Sequence, residues 1–244
     1  MKAIVTTDLV KKYKNITAVD SLSLTIEEGE LFALLGVNGA GKTTTIKMLS
    51  GLSKPTSGDA VLLGDSIITG TQAVKQKINV SPQETAVAFN LSVRENLDLI
   101  SRIYGSSRQA ADAKTDEMLS TFGLTQIAAS KAKTLSGGMQ RRLSIAMALI
   151  SNPKILFLDE PTLGLDVLAR RELWAAIEKL KGKMTIILTT HYMEEAEALS
   201  DRIGIMSNGR MTAVGTVAEL MAKTGAVKFE DAFVALATGT EVIR

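Results

Sequence analysis

The 244-residue sequence contains no cysteine, one histidine and four prolines. The absence of cysteine excludes disulfides, thiolate metal sites and cysteine nucleophiles. No apolar run reaches the length of about 18 residues that a membrane-spanning helix needs. The first residues, Met1 to Asp8, hold an apolar run of only three residues, which is too short for a signal peptide. We therefore expect a soluble, cytoplasmic protein.

The sequence also lacks an excess of either charge. Its 28 basic and 26 acidic residues give a net charge of +2, so no basic footprint for nucleic acid is present. The two basic clusters, 11–14 and Arg141-Arg142, are interpreted as solvated faces. With 45% hydrophobic residues the chain can bury a sizeable core, in one large α/β domain or two small ones.

One glycine-rich segment matches the phosphate-binding pattern G-x-x-x-x-G-K-[ST] without exception. This phosphate loop consists of Gly36, Val37, Asn38, Gly39, Ala40, Gly41, Lys42 and Thr43. An apolar strand, Leu31 to Leu35, precedes it, and a helix from Lys42 to Ser50 is predicted to follow. Glycines let backbone N–H groups approach phosphate oxygens, while Lys42 is expected to reach the terminal phosphates and Thr43 to hold Mg²⁺.

Polar side chains follow three further predicted strands. The apolar run 155–158 ends in Asp159 and Glu160, His191 follows the strand 184–190, and Gln83 follows the strand 78–80. Side chains alternate along a strand, so Asp159 and Glu160 are predicted to point to opposite sides. The simplest division gives Asp159 to Mg²⁺ and Glu160 to the attacking water. Parallel sheets bind ligands at their carboxyl edge, which also makes His191 a candidate.

Strands and helices alternate along most of the chain, which predicts a parallel sheet. The first thirty residues indicate short strands, among them Ala3 to Val5 and Leu22 to Ile26, and 201–206 with 211–214 indicate a hairpin around Asn208-Gly209. From about 90 to 150 apolar residues recur at helical spacing. One domain with a helical insert is the economical interpretation.

A second glycine-containing loop, Leu135-Ser136-Gly137-Gly138-Met139-Gln140, lies within the helical region. Together with the phosphate loop and the strand-end residues, it resembles the signature of the ATP-binding-cassette (ABC) ATPases. The resemblance runs from about Lys2 to Met206, and we call 135–140 the signature loop. It implies an α/β fold: a P-loop NTPase core with a mainly parallel sheet, an N-terminal antiparallel β subdomain and an inserted helical subdomain. We expect a single domain over 1–244, with the helical part at about 88–152 and a C-terminal tail at about 211–244.

The resemblance also implies a role for each matching residue in binding ATP and Mg²⁺. Tyr13 would stack on adenine, and the loop from Gly36 through Thr44 would bind the triphosphate. Thr43, Gln83 and Asp159 would hold the metal. The implied catalytic residues are Glu160, His191, Lys42 and Gln83. Ser136, Gly137 and Gly138 would complete the site of another subunit, and Asp166 would cross the dimer interface.

Finer features are similar to the sodium- and drug-exporting branch of the family. These are Met139, the compact stretch from Ser81 to Arg94, and the tail segments Val214 to Leu220 and Phe229 to Leu236. Two residues depart from the usual pattern of the family. Met139 stands where glutamine is common, and Val167 stands where proline is common, but neither position touches phosphate in the family. The implied partners are a separately encoded membrane permease, sensed by the segment beginning at Gln83, and a second cassette in a homodimer or heterodimer.

The resemblance places such a subunit on the inner face of the cell membrane, bound through its permease. A non-transport ABC ATPase acting on a ribosome, DNA or a cofactor-assembly complex is the alternative. A nucleic-acid partner is not expected from the charge. A small-molecule kinase with the same phosphate loop is disfavoured, because it has no use for the signature loop.

Overall fold

The computed structural model describes residues 1–239 and contains two β-sheets. The strands of the first are β1 (Lys2–Tyr13), β2 (Ile16–Glu27), β4 (Ser57–Leu62) and β5 (Asp65–Ser66). This sheet is antiparallel and has the strand order β2-β1-β4-β5. The strands of the second are β3 (Leu31–Leu35), β6 (Ile78–Ser81), β7 (Ile155–Asp159), β8 (Thr185–Thr190), β9 (Arg202–Ser207) and β10 (Arg210–Gly215). It has the order β10-β9-β3-β8-β7-β6 and is parallel except for the pair β9–β10.

The two N-terminal strands are much longer than the sequence pattern predicted. β1 and β2 each extend over 12 residues, and their pairing contains several register shifts. Asp8 and Ser21, inside these strands, have positive φ values of 45° and 50°. Such irregularities interrupt the alternation of apolar and polar residues, which is why the pattern indicated only short strands.

The helices connect and cover the sheets. They are α1 (Lys42–Leu49), α2 (Thr71–Lys77), α3 (Val93–Ile103), α4 (Arg108–Thr121), α5 (Gly137–Leu149), α6 (Val167–Glu178), α7 (Met193–Leu199), α8 (Val217–Thr224) and α9 (Phe229–Thr238). Helices α3, α4 and α5 lie between β6 and β7, in agreement with the helical texture of that region. The subdomain boundaries stay predictions, and residues 240–244 of the predicted domain and tail lie outside the described part of the chain.

The parallel sheet is covered on both faces. Every residue of β3, β7 and β8 is buried, as the continuous apolar runs predicted. Leu156 and Leu158 pack with residues of the helices, whereas the intervening Phe157 packs with residues of the antiparallel sheet. Three layers result, and the carboxyl ends of β3, β6, β7 and β8 share one edge.

The hairpin predicted at Asn208-Gly209 is present. Arg210 pairs with Ser207 across the turn, and Asn208 and Gly209 have φ values of 49° and 78°. Both residues therefore adopt the left-handed conformation of the tight primed turn. The hairpin also contacts the phosphate loop, because the Gly209 amide donates to the Ala40 carbonyl at 3.1 Å.

Candidate active site

The phosphate loop runs from the end of β3 to the start of α1, and its glycines are required for steric reasons. A Cβ on Gly36 would lie 2.4 Å from the Met206 carbonyl oxygen. Gly41 has a φ of 104°, and a Cβ there would lie 2.5 Å from the Ala18 carbonyl oxygen. Only glycine at positions 36 and 41 therefore lets the loop pack this closely against Met206 and Ala18. The Lys42 side chain folds back onto the phosphate loop, and its Nζ donates to the Gly36 carbonyl at 2.7 Å.

Glu160 lies between the lysine of the phosphate loop and the histidine that follows β8. Its Oε1 is 3.2 Å from Lys42 Nζ, and its Oε2 is 2.8 Å from His191 Nδ1. The side chains of Lys42 and Glu160 are only 6% and 7% exposed, so their ion pair is screened little by solvent. Contacts through Glu160 therefore link the side chains of Lys42 and His191 at the edge of the sheet.

Asp159 faces the next residue of the phosphate loop. Its Oδ1 accepts from Thr43 Oγ1 at 3.0 Å and from Thr189 Oγ1 at 2.6 Å. Thr189 Oγ1 in turn accepts from the Glu160 amide at 3.0 Å. A hydroxyl and a carboxylate oxygen in contact fit a Mg²⁺ ion, which prefers oxygen ligands and keeps waters or phosphate oxygens in its other positions.

The prediction that Asp159 and Glu160 point to opposite sides is wrong. β7 ends at Asp159, and Glu160 has a φ of 48°, in the left-handed region. Strand alternation does not apply across this turn, so both carboxylates reach the phosphate loop, one at Thr43 and the other at Lys42. The two carboxylates still have different partners, which is compatible with separate roles.

A cleft of about 510 Å³ lies over the phosphate loop and gathers most of the predicted site residues. Its lining is Tyr13, Ala18, Asn38, Gly39, Ala40, Gly41, Lys42, Thr43, Thr44, Gln83, Glu160, Leu163 and His191. Ala18 and Leu163 were not predicted, since neither carries a chemical signal in the sequence. Gly36 and Val37 join the site through their carbonyls, which accept from Lys42.

The aromatic and amide candidates lie at the rim of this cleft. Tyr13 is 45% exposed, and Lys11 Nζ lies 5.0 Å from the centre of its ring. Gln83 is exposed and follows β6, as predicted. The proposed contact of Gln83 with Mg²⁺ and the stacking of Tyr13 on adenine stay predictions.

Seven predicted residues are absent from the lining of the cleft. Gly36, Val37 and Asp159 still contact lining residues through hydrogen bonds, whereas Ser136, Gly137, Gly138 and Asp166 lie elsewhere. Ser136 is the N-cap of α5 and accepts from the Met139 amide, and Asp166 is the N-cap of α6. The signature loop packs against the start of α6, since a Cβ on Gly138 would lie 3.0 Å from the Ala169 Cβ. Ser136, Gly137 and Asp166 are exposed. The signature loop is thus a helix N-terminus open to solvent.

The interpretation of Arg141-Arg142 as a solvated face is wrong for Arg141. This side chain is 4% exposed, and desolvation lowers its pKa to about 10, although the carboxylate of Asp159 acts in the opposite direction. Arg142 is half-buried and pairs with Glu172 at 3.2 Å. Charge alone cannot distinguish these neighbours, because the helix places them on different faces.

Comparison with protein families identifies the chain. Residues 19–163 match the family model described as ABC transporter, which is more than half of the chain. The linearmycin resistance ATP-binding protein LnrL of Bacillus subtilis is 42% identical over 219 residues, covering 89% of this chain and 70% of LnrL. The chain therefore belongs to the ABC transporter family, and it is an ATPase of that family.

Other relatives differ widely in length. The daunorubicin/doxorubicin resistance ATP-binding protein DrrA of Streptomyces peucetius is 40% identical over 225 residues, covering 92% of this chain and 68% of DrrA. The human phospholipid-transporting ATPase ABCA3 is 43% identical over 213 residues, covering 87% of this chain. The chain spans only 12% of ABCA3 and 22% of an Arabidopsis thaliana relative, ABC transporter A family member 11.

Solved structures agree with this assignment. The ATP-binding subunit of an ABC transporter superposes with a TM-score of 0.85 at 30% identity, over 96% of this chain and 99% of that chain. A dimeric ATP-binding cassette in a post-hydrolysis state, bound to ADP and Pi, gives 0.79 at 27% identity, over 87% and 98%. Within residues 1–239, no helix combines the length and apolarity needed to cross a membrane.

Proposed function

We propose that this chain is the ATP-hydrolysing subunit of an exporter and drives a separate membrane protein. Two relatives that it matches over most of their length are named for resistance to linearmycin and to daunorubicin and doxorubicin. Removal of a drug by export is the simplest basis for such resistance. The substrate would be selected by the membrane partner.

One observation supports hydrolysis most directly, namely the position of Glu160 between Lys42 and His191. In the proposed reaction, the Glu160 carboxylate accepts a proton from the attacking water, and His191 holds that carboxylate and contacts the terminal phosphate. Lys42 would donate to phosphate oxygens and stabilise the charge that develops during transfer.

Thr43, Asp159 and Gln83 would hold Mg²⁺. Mg²⁺, when bound, would neutralise charge on the phosphates. The pairing of Thr43 Oγ1 with Asp159 Oδ1 at 3.0 Å places two suitable oxygens side by side at the start of α1. Thr189 fixes the Asp159 carboxylate from β8.

The working form would be a dimer in which each signature loop faces the phosphate loop of the other subunit. Ser136, Gly137 and Gly138 begin α5, and a helix N-terminus favours an anion such as phosphate. Exposed apolar side chains near these loops would be covered in the dimer; they are Val37, Leu163, Val167 and Leu168, at 56%, 42%, 62% and 74%. The similarity to a dimeric ATP-binding cassette supports a dimer.

Contact with the membrane partner is proposed for the segment from Gln83 to Tyr104. Several large apolar side chains are exposed there: Phe89 at 49%, Leu99 at 42%, Ile103 at 68% and Tyr104 at 52%. A small cleft of about 150 Å³, lined in part by Pro82, Ala86 and Tyr104, lies beside them. Because this segment begins at the ATP cleft, movement there could be transmitted to a bound partner.

The test of hydrolysis is Glu160→Gln, which keeps the size of the side chain and removes its basicity. We expect steady-state turnover to fall about 1000-fold while ATP binding persists and the closed dimer accumulates. The matched control is Glu178→Gln, at an exposed position of α6. Near-normal turnover in Glu160→Gln would contradict the assignment of Glu160 as the base.

The test of transport is purification from detergent-solubilised membranes. Co-purification with a protein that has several membrane spans would support the exporter. Co-purification with ribosomes or scaffold proteins would favour the alternative, a non-transport ATPase of the same family.

A further inference from the structure

Arg141 is a buried cation whose hydrogen bonds all go to main-chain carbonyls of two other segments. Its Nε donates to the Pro161 carbonyl at 2.8 Å, and its Nη2 donates to the Asp159 carbonyl at 2.7 Å. Its Nη1 donates to the carbonyls of Pro82 and Gln83. The three nitrogens of one side chain therefore contact the segment that follows β6 and the end of β7 with the turn after it.

Two of these carbonyls lie on either side of Glu160. Asp159 precedes it and Pro161 follows it, and Glu160 itself has a φ of 48°. A non-glycine residue in this conformation is strained and persists only when its surroundings hold it. Arg141 joins the carbonyls before and after the strained residue, so it holds the turn that aims the Glu160 carboxylate at Lys42.

The other two carbonyls belong to the segment that enters the ATP cleft. Gln83 lines the cleft, and its carbonyl accepts from Arg141 Nη1 at 3.2 Å. Arg141 itself lies in α5, the helix that begins with the signature loop. One guanidinium thus connects the Glu160 turn, the Gln83 segment and the signature helix.

The chemistry of this contact requires arginine. A guanidinium presents its donors in a rigid planar fork, whereas a lysine ammonium is a single point charge and cannot reach four carbonyls on two segments. Burial lowers the pKa of Arg141 to about 10, and the carboxylates of Asp159 and Glu195 counter this effect, so the side chain stays protonated at neutral pH. The hydrogen bonds to the Asp159 and Pro161 carbonyls are buried, so leaving these two carbonyls without donors would be costly.

We propose that Arg141 is a positioning residue that fixes Glu160 and the Gln83 segment to the signature helix, so that hydrolysis depends on it while ATP binding does not. This rests on the proposed function of Glu160 as the base. Arg141 does not line the cleft, so it would act only through the backbone of other residues.

The experiment compares Arg141→Lys and Arg141→Gln with the matched control Arg142→Lys. Arg142 is the next residue of the same helix, pairs with the exposed Glu172, and should tolerate lysine. For both Arg141 variants we expect kcat to fall about 100-fold, because a displacement of about 1 Å at a reacting group has this effect. The dissociation constant for ATP, measured by equilibrium binding, should stay within about threefold of the wild type.

Several results would overturn the proposal. One is a folded Arg141 variant with kcat within about twofold of the wild type. Another is a weakening of ATP binding that accounts for the whole loss, or an equal loss in Arg142→Lys. Failure of both Arg141 variants to fold, while Arg142→Lys folds, would show a role in stability and not in positioning.

Hydrogen exchange tests the positioning without reference to hydrolysis. In the nucleotide-free protein, amides of the segment 159–165 should exchange about tenfold faster in Arg141→Lys than in Arg142→Lys. Equal exchange would refute the positioning role even if Glu160 proved to be the base. Faster exchange together with normal turnover in Glu160→Gln would instead contradict the proposed function alone.

Discussion

The phosphate loop and the signature loop are both glycine-containing segments that lead into a helix, yet their surroundings differ. At the first, Lys42 and Glu160 form a buried pair, and His191 and Asp159 lie beside it. At the second, Ser136 and Gly137 are exposed, and Ser136 caps its own helix. The phosphate loop thus lies among charged side chains, as the proposed hydrolysis requires, whereas the exposed part of the signature loop offers amides and a hydroxyl.

This difference suggests a division of labour. A helix N-terminus can favour a phosphate, but without a cation or a base it cannot carry out transfer. We therefore propose that the signature loop is half of a site whose other half is a phosphate loop on a second subunit. The nearest basic residue in α5, Arg141, is turned inward to main-chain carbonyls.

The largest effect is expected from Lys42→Ala. Hydrolysis should fall about 1000-fold, because the developing phosphate charge loses its main cation and the buried Glu160 loses its ion-pair partner. Phosphate release measured at saturating ATP checks this. Lys47→Ala, at an exposed position of the same helix, is the control and should be unaffected. If hydrolysis falls no further in Lys42→Ala than in Lys47→Ala, the charged surroundings of the phosphate loop do not contribute to hydrolysis, and the proposed difference between the two loops is wrong.

A smaller effect is expected from Ser136→Asp. Aspartate caps a helix as well as serine does, so α5 should be preserved, but the added negative charge should repel a phosphate. Hydrolysis should fall about 100-fold, while ATP binding to the dilute monomer stays unchanged. The control is Ser107→Asp at the N-cap of α4, where Ser107 accepts from the Ala110 amide. Weakened binding in the monomer would mean that the signature loop serves its own chain.

The smallest effect concerns Glu195, a fully buried carboxyl of α7 that accepts from Trp174 Nε1 at 3.0 Å. Desolvation raises the pKa of Glu195 above 4.5, although hydrogen bonds lower it in part. The folded state therefore holds this proton more tightly than the unfolded state, and the free energy of unfolding is expected to fall as pH rises above about 4.5. The free energy of unfolding can be measured by urea unfolding at several pH values. In Glu195→Gln it should no longer fall with pH above about 4.5, and neither loop should be affected. An unchanged slope would contradict the raised pKa.

The sequence predicted those parts of the site that depend on contiguous residues. The phosphate loop and the Asn208-Gly209 turn each require particular residues at adjacent positions, so they could be recognised directly. The orientation of Glu160 could not, because it depends on where β7 ends and on the support that Thr189 and Arg141 give to the following turn. Contacts between distant segments leave no periodic signal in the chain.

The most direct test of the division between the loops mixes two inactive proteins. Lys42→Ala supplies an intact signature loop, and Ser136→Asp supplies an intact phosphate loop. If the two loops of one site come from different subunits, a mixed dimer contains one complete site, and an equimolar mixture should recover about a quarter of wild-type hydrolysis. If mixing recovers no hydrolysis while each variant still dimerises, the loops do not complete a site across subunits, and this account is wrong.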